Sequence, residues 1–338
     1  MQIIQNISLK AFNTFGIDVT AAYFTGVSST TELKEALAWC RQKNIEPLIL
    51  GGGSNVLFTR NFNGMVIKNS IPGISIVQED DEHVYVKVGA GVLWHDVVLY
   101  CLENNFAGVE NLALIPGFAG ASPMQNIGAY GVEIKEVFHE LGAINRFELS
   151  HTIFNNAACE FGYRESVFKN RYKDQFVITD VTYRLNKMPR FHIEYGALRQ
   201  QLEQDGITEL SIRAIADAVI RIRSSKLPNP ANIGNAGSFF KNPSIPPAQF
   251  EILKENFPGV VSYPNDDGTI KIAAAWLIEQ CGFKGVKHGD AGVHEKQALI
   301  LVNYGNATGQ EILALCHEIK EAVLKKFDVV LMPEVNII

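Results

Sequence analysis

None of the five cysteines, Cys40, Cys101, Cys159, Cys281 and Cys316, belongs to a CxxC pair. Their odd number and wide scatter suggest buried, reduced thiols in a cytoplasmic protein rather than a disulfide framework. A basic stretch followed by an apolar core is missing from the first residues, so no secretion signal is expected. No apolar run approaches the roughly 20 residues that span a membrane. There is no excess of positive charge either. The net charge of −6 over 338 residues argues against a nucleic-acid-binding protein as a whole. It leaves room for an anionic small ligand, which needs only local cations. Internal repeats and low-complexity segments are also absent. What is present is ordinary for a globular protein: 47% hydrophobic and 20% charged residues, and enough length for two or three domains with ample core.

The stretch Leu48–Phe58, LILGGGSNVLF, organises the rest. Three apolar residues read as the end of a buried strand, and Gly51, Gly52 and Gly53 follow at once. Without a β-carbon, these residues allow positive φ and close backbone approach. Successive N–H groups in such a turn form a nest for an anion, most often a phosphate. Ser54 and Asn55 can add side-chain donors. A plain tight turn between strands is the competing reading. Two familiar nucleotide folds are excluded by spacing. The dinucleotide fingerprint would need Gly or Ala at position 56, where Val56 stands, and no GK[ST] is present. The pattern predicts a phosphate cradle between strands in another α+β architecture.

In chain order, Ser29-x-x-Glu32 predicts a capping box, with Leu33, Ala36, Leu37 and Cys40 on one apolar helix face leading into LILGGG. MVIKN (65–69), HVYVKV (83–88) and FVITDVTYRL (176–185) read as strands. Trp94, Val97, Val98 and Cys101 mark a second helix; Ile212, Ile215, Ala216, Val219 and Ile220 mark a third. Thr308-x-x-Glu311 caps a last one, with Ile312, Leu315, Cys316, Ile319 and Val323 inward. ALILV (298–302) and DVVL (328–331) read as late strands. Boundaries are expected near Ile71-Pro72-Gly73 and in LPNPANIGNAG (227–237), where Pro, Gly and Asn concentrate. The spacing of His288, Asp290 and His294 is not a familiar zinc arrangement, so no metal is expected.

A second glycine-rich stretch, IPGFAGASPMQNIGAYGVE (115–133), carries Ser122, Gln125 and Asn126 among glycines 117, 120, 128 and 131. Its backbone donors suit a second phosphate or a heteroaromatic ring edge, although a purely structural loop also fits. Taken in order, GGGSNVLF, ENLALIPGFAGASPMQNIGAYG, FGYRESVFK, GNAGSFFKNP and PEV are similar to the UDP-N-acetylenolpyruvoylglucosamine reductase (UDP-N-acetylmuramate dehydrogenase) family, in the class with a tyrosine-loop insertion. The match spans almost the whole chain, and PxQNIGAYG together with GSFFKNP is its specific part.

The resemblance implies an α+β fold: a two-subdomain FAD-binding module of the vanillyl-alcohol-oxidase type, then a C-terminal α+β substrate domain. The expected division is 1–70, 71–226 and 227–330, with the C-terminal strand 331–338 returning to the first part. It further implies an enzyme of peptidoglycan precursor synthesis with non-covalent FAD and NADPH as reductant, acting on UDP-N-acetylglucosamine enolpyruvate as a cytoplasmic monomer. Carried over by motif, Arg164 stabilises the enolate, Ser238 is the proton donor and Glu334 is a second acid. In isolation these would read as a surface ion pair, a turn serine and a tail carboxylate. Tyr195 matches the mobile-loop tyrosine, and Lys226, Asn242 and Gln297 match substrate contacts, with Tyr163 and Arg223 beside them. Gly51 to Asn55, Pro116, Gly117, Ser122, Asn126, Gly128 and Gly131 match the flavin loops, and Ile178 a residue near the ring. The chain ends four residues after Glu334, which leaves the anchoring of that carboxylate open. The alternatives are an FAD oxidase of the same superfamily acting on an alcohol or sugar, and a non-catalytic nucleotide-sugar binding protein.

Overall fold

Ser29, in extended backbone, accepts the Glu32 N–H at 3.2 Å and starts the helix Thr30–Lys43. The expected capping box is only half formed. The Glu32 carboxylate turns one residue further back, to the Ser28 N–H at 2.7 Å and the Ser28 hydroxyl at 2.8 Å. Asn44 ends the helix in the left-handed region at φ +54°. Leu33, Ala36, Leu37 and Cys40 are buried against Val27, Met65 and Ile67, as their spacing predicts.

The computed structural model describes residues 1–338. The chain forms two units, one of Met1–Ile7, Ala21–Gly53 and Phe62–Ser225, the other of Ser8–Thr20, Ser54–Asn61 and Lys226–Ile338.

The first unit holds two sheets. One has the strand order Ile4–Ser8, Thr20–Val27, Phe62–Asn69, Pro47–Leu50, with Phe62–Asn69 parallel to both of its neighbours. Helix Thr30–Lys43 therefore links two strands that are not adjacent. The other sheet is antiparallel and five-stranded, in the order His151–Asn155, Phe138–Asn145, Phe176–Asn186, His83–Gly89, Ile74–Glu79. Its central strand, Phe176–Asn186, buries Val181, Tyr183 and Leu185 completely. Helices Trp94–Glu103, Gly196–Gln204 and Ile212–Lys226 contribute to the same core. On the last helix the buried face takes in Ala218 and Ile222, whereas Ile220 is only partly buried.

In the second unit, helix Gly309–Phe327 opens with a complete Thr308/Glu311 capping box and buries all five residues expected of it. Two of the expected strands are shortened or absent. ALILV contributes only Leu301 and Val302, to the strand Leu301–Asn303, because the Ile300 N–H turns back to the Gln297 carbonyl at 3.1 Å. DVVL is not a strand. Asp328 is spent as the left-handed cap of the preceding helix, and Val329 and Leu331 bury their side chains without a sheet ladder. No helix is long and apolar enough to cross a membrane.

Candidate active site

The first glycine stretch leaves strand Pro47–Leu50 and reaches Gly53, buried at φ +63°. A β-carbon on Gly52 would lie 3.2 Å from the Gly117 Cα and 3.5 Å from the Phe118 ring. The two glycine-rich stretches therefore meet backbone to backbone, with Gly117 itself at φ +112°. A β-carbon on Gly120 would lie 2.5 Å from the Ala90 Cβ, so this loop is also held flush at its base. Such surfaces fit a flavin dinucleotide, whose diphosphate needs close approach to backbone N–H groups.

Within the second loop the polar side chains act on the protein itself. Ser122 is buried, with its Oγ 2.7 Å from the Tyr183 hydroxyl. Asn126, fully buried at φ +44°, donates to the Glu133 carboxylate and the Gly162 carbonyl, both at 2.9 Å, and accepts the Lys135 N–H at 3.1 Å. Pro116 and Gly131 are exposed and Gly128 is half-buried. Ile178 is buried, and its carbonyl accepts the Asn69 amide at 2.8 Å.

Arg164 lies beside this loop at φ +55°, an uncommon conformation for a residue with a long side chain. Its guanidinium donates to the Gly128 carbonyl at 2.5 Å and the Asn126 carbonyl at 3.4 Å, and stands 5.4 Å from the Tyr163 ring centre. Arg223 shares the neighbourhood. Its Nε is buried with no hydrogen-bond partner, and its guanidinium bonds Tyr130. Burial lowers the Arg223 pKa, the Tyr130 phenol opposes that shift, and the field of Arg164 adds to it. Burial also raises the Tyr130 phenol, against the pull of Arg223. The Tyr130 ring meets Tyr195 edge-on at 5.4 Å. Tyr195 is half-exposed at the N-cap of helix Gly196–Gln204. Arg223 and Tyr195 are thus brought together at Tyr130, which the motif reading did not single out, with Arg164 bonded to the same loop at Gly128 and Asn126. The field of Arg164 reaching Arg223 gives this part of the loop local positive charge.

In the second unit Ser238 is exposed on a short extended segment whose next residues, Phe239 and Phe240, are fully buried. Phe239 donates to the Leu299 carbonyl at 2.7 Å and accepts the Glu334 N–H at 2.8 Å, while Lys241 donates to the Met332 carbonyl at 2.9 Å. Ser238 and Glu334 are therefore neighbours across paired backbone, and the Gln297–Leu299 turn flanks the other side. Gln297 Oε1 accepts the Leu299 N–H at 3.4 Å. The backbone on both sides of Glu334 is anchored. Asn55 Nδ2 donates to the Glu334 carbonyl at 3.4 Å, strand Asn336–Ile337 pairs in parallel with Val56–Leu57, and the Ile338 carbonyl takes both the N–H and the hydroxyl of Thr59 at 2.7 Å. Ser54 and Asn55 belong to this unit.

Asn242 uses its Oδ1 on the Ala274 N–H at 2.9 Å, at the start of helix Ala274–Gln280. Lys226 is exposed at the end of its helix. His294 has a buried Nδ1 without a partner, and burial lowers its pKa. His288 faces Glu318 at 3.4 Å, and the Asp290 carboxylate accepts the Asn306 N–H at 2.7 Å. No three His, Cys, Asp or Glu side chains are grouped to hold a metal ion.

The family model described as the C-terminal domain of UDP-N-acetylenolpyruvoylglucosamine reductase matches residues 229–338, and an FAD binding domain matches residues 21–146. The UDP-N-acetylenolpyruvoylglucosamine reductases of Amoebophilus asiaticus and Flavobacterium johnsoniae are 50% and 48% identical to this chain, each over 100% of both chains. Among solved structures, the UDP-N-acetylenolpyruvylglucosamine reductase of Thermus caldophilus superposes with a TM-score of 0.68 at 21% identity, covering 100% of this chain and 99% of that one. The fold is thus the expected α+β one, an FAD-binding module with a C-terminal α+β domain. Identity near one half along the full length goes well beyond a shared fold, and the chain belongs to the UDP-N-acetylenolpyruvoylglucosamine reductase family.

Proposed function

We propose that this chain reduces the enolpyruvyl ether of UDP-N-acetylglucosamine to the lactyl ether, UDP-N-acetylmuramate, in peptidoglycan precursor synthesis, acting as a cytoplasmic monomer without a nucleic-acid partner. The observation that carries the reading is the placement of Ser238. It is an exposed hydroxyl on a segment pinned by Phe239 and Phe240, with Glu334 across the pairing and Gln297 on the flanking turn. Residues 1–70 and 71–226 are read as the two flavin-binding subdomains and 227–330 as the substrate domain.

FAD, when bound, supplies the hydride to the enolpyruvyl CH₂ carbon and draws its electrons from NADPH. Gly51 to Gly53 and Gly117 admit the diphosphate, with Ser54, Asn55, Pro116, Gly128 and Gly131 along the same loops. Ser122 and Asn126 hold the second loop in shape. Ile178 would lie near the ring.

Hydride addition places negative charge on the neighbouring carbon and its carboxylate. Arg164 stabilises that charge, since a planar guanidinium matches a carboxylate better than an ammonium does. Ser238 donates the proton that completes reduction at that carbon. Glu334 assists on the enolic species. Lys226, Asn242, Gln297, Tyr163 and Arg223 take the nucleotide and sugar groups. Tyr195 covers the bound sugar nucleotide.

Anaerobic titration tests this reading. NADPH should bleach the flavin absorbance of the purified protein, and the enolpyruvyl substrate should restore it with formation of the lactyl product. Restoration by oxygen alone, with no product, would favour an oxidase.

A further inference from the structure

Asn111 lies in the 3₁₀ turn Glu110–Leu112 and is 1% exposed. Its Nδ2 donates twice, to the Tyr130 carbonyl at 2.9 Å and to the His192 carbonyl at 2.8 Å. Tyr130 sits in the second glycine loop in the left-handed region, at φ +49°. His192 belongs to the segment between Lys187 and Tyr195, which has no regular structure. Three residues after His192, the Tyr195 ring meets Tyr130 edge-on. One buried amide therefore grips the backbone of both segments that bring these tyrosines together.

At the start of the 187–195 strap Lys187 donates its N–H to the Glu82 carbonyl at 2.8 Å and its Nζ to the Glu79 carboxylate at 2.9 Å. Phe191 and Ile193 pack at the edge of the core, but Met188 is 78% exposed. Arg190, Phe191 and His192 border a cavity of about 370 Å³ together with Gly108, Val132 and Arg184. Where a segment lies over a cavity, hydrogen bonds rather than close packing resist its opening.

We propose that Asn111 is a positioning residue that ties the 187–195 strap to the second glycine loop and so holds Tyr195 in place to cover the sugar nucleotide. This rests on the reading of Tyr195 as the substrate cover. Asn111→Asp keeps the shape but turns two donors into acceptors that face two carbonyl oxygens, next to the buried Glu110. The strap should then open, while Asn126, with its three bonds of its own, keeps the glycine loop in shape.

The test uses the flavin-loaded full chain. In Asn111→Asp, flavin content and reduction by NADPH stay at the parent level, whereas KM for the enolpyruvyl substrate rises about tenfold. Without substrate, tryptic cleavage after Lys187 and Arg190 becomes several-fold faster. In a Tyr195→Ala background the same substitution adds no further rise in KM, because the tie acts through that tyrosine. Equal rises in both backgrounds, or unchanged cleavage, overturn the proposal. If Tyr195→Ala raises KM and Asn111→Asp does not, Asn111 alone is discarded. If Tyr195→Ala leaves KM unchanged, the cover reading fails and this proposal fails with it. Asn111→Ala, which removes the donors without adding charge, replaces Asp if the latter misfolds. Flavin loss in both variants also overturns the proposal, since it assigns Asn111 to the support of the fold.

Discussion

The glycine-loop region and the Ser238 region use opposite means to present chemical groups. In the first, the backbone itself is the surface: Gly52 approaches Gly117 so closely that a β-carbon would be tight there, and Ser122 and Asn126 spend their polar groups inside the loop. In the second, backbone pairing is only the frame. Phe239, Leu299 and Glu334 exchange main-chain bonds, and what faces outward is the hydroxyl of Ser238. A surface made of backbone is sensitive to any added β-carbon. A surface made of side chains is sensitive to one functional group and tolerant of similar volume. The two regions should therefore fail in different ways.

The largest effect is expected at Ser238. Ser238→Ala should accept electrons from NADPH at the parent rate yet reoxidise with substrate slower by more than the roughly 10²–10⁴-fold of a typical positioned acid, once bound substrate keeps water from the carbon. Ser238→Cys should recover part of that rate. Stopped-flow traces of the two half-reactions measure both, and equal slowing of the two would remove the proton-donor role.

Next is Gly53→Val. A β-branched residue at φ +63° carries about 1–3 kcal/mol of strain and puts bulk into the cradle, so the variant should purify folded and nearly colourless. A normal flavin spectrum in folded Gly53→Val would dissolve the contrast between the regions.

Tyr195→Ala sits between the two kinds of surface. Loss of its packing and one hydrogen bond should weaken substrate binding by about 1–3 kcal/mol in calorimetry, with flavin reduction left intact. Unchanged affinity would remove Tyr195 from the substrate side.

The smallest effect concerns the scaffold under the first region. Burial raises the Glu110 carboxyl above its ordinary 4.5, while its bond from the Gly108 N–H opposes that shift. The folded protein therefore holds this proton more tightly than the unfolded chain does. Its contribution to stability is complete below the ordinary glutamate range and declines as pH rises through 4.5 toward the raised value. Glu110→Gln should flatten that arm of the melting-temperature profile. Parallel profiles for the two proteins would show that Glu110 does not titrate there.

Local patterning carried most of the elements. Periodicity located the inward faces of helices Thr30–Lys43 and Gly309–Phe327, because one buried stripe repeats at helical spacing whatever it packs against. The glycine loops were legible because only glycine allows such backbone approach. DVVL misled for a physical reason. Alternating burial of Val329 and Leu331 resembles a strand, but a strand also needs a hydrogen-bonded neighbour, which residue pattern cannot show. Tyr130 and Asn111 carried no signal of their own, since a tyrosine and an asparagine in a loop are common.

Residue chemistry and spacing pointed to glycine cradles between strands of an α+β architecture, and the resemblance carried by the motifs singled out Arg164, Ser238 and Glu334. The tertiary structure alone decided what those groups can reach. It set the turn of Glu32 toward Ser28, the anchoring of Glu334 through Asn55 and the final strand, and the meeting of Tyr130, Tyr195 and Arg223 around an orphaned guanidinium nitrogen. The cause is the same in each case. A hydrogen bond or ring contact needs its partner within a few ångströms, and for most of these groups that partner lies tens to hundreds of residues away along the chain.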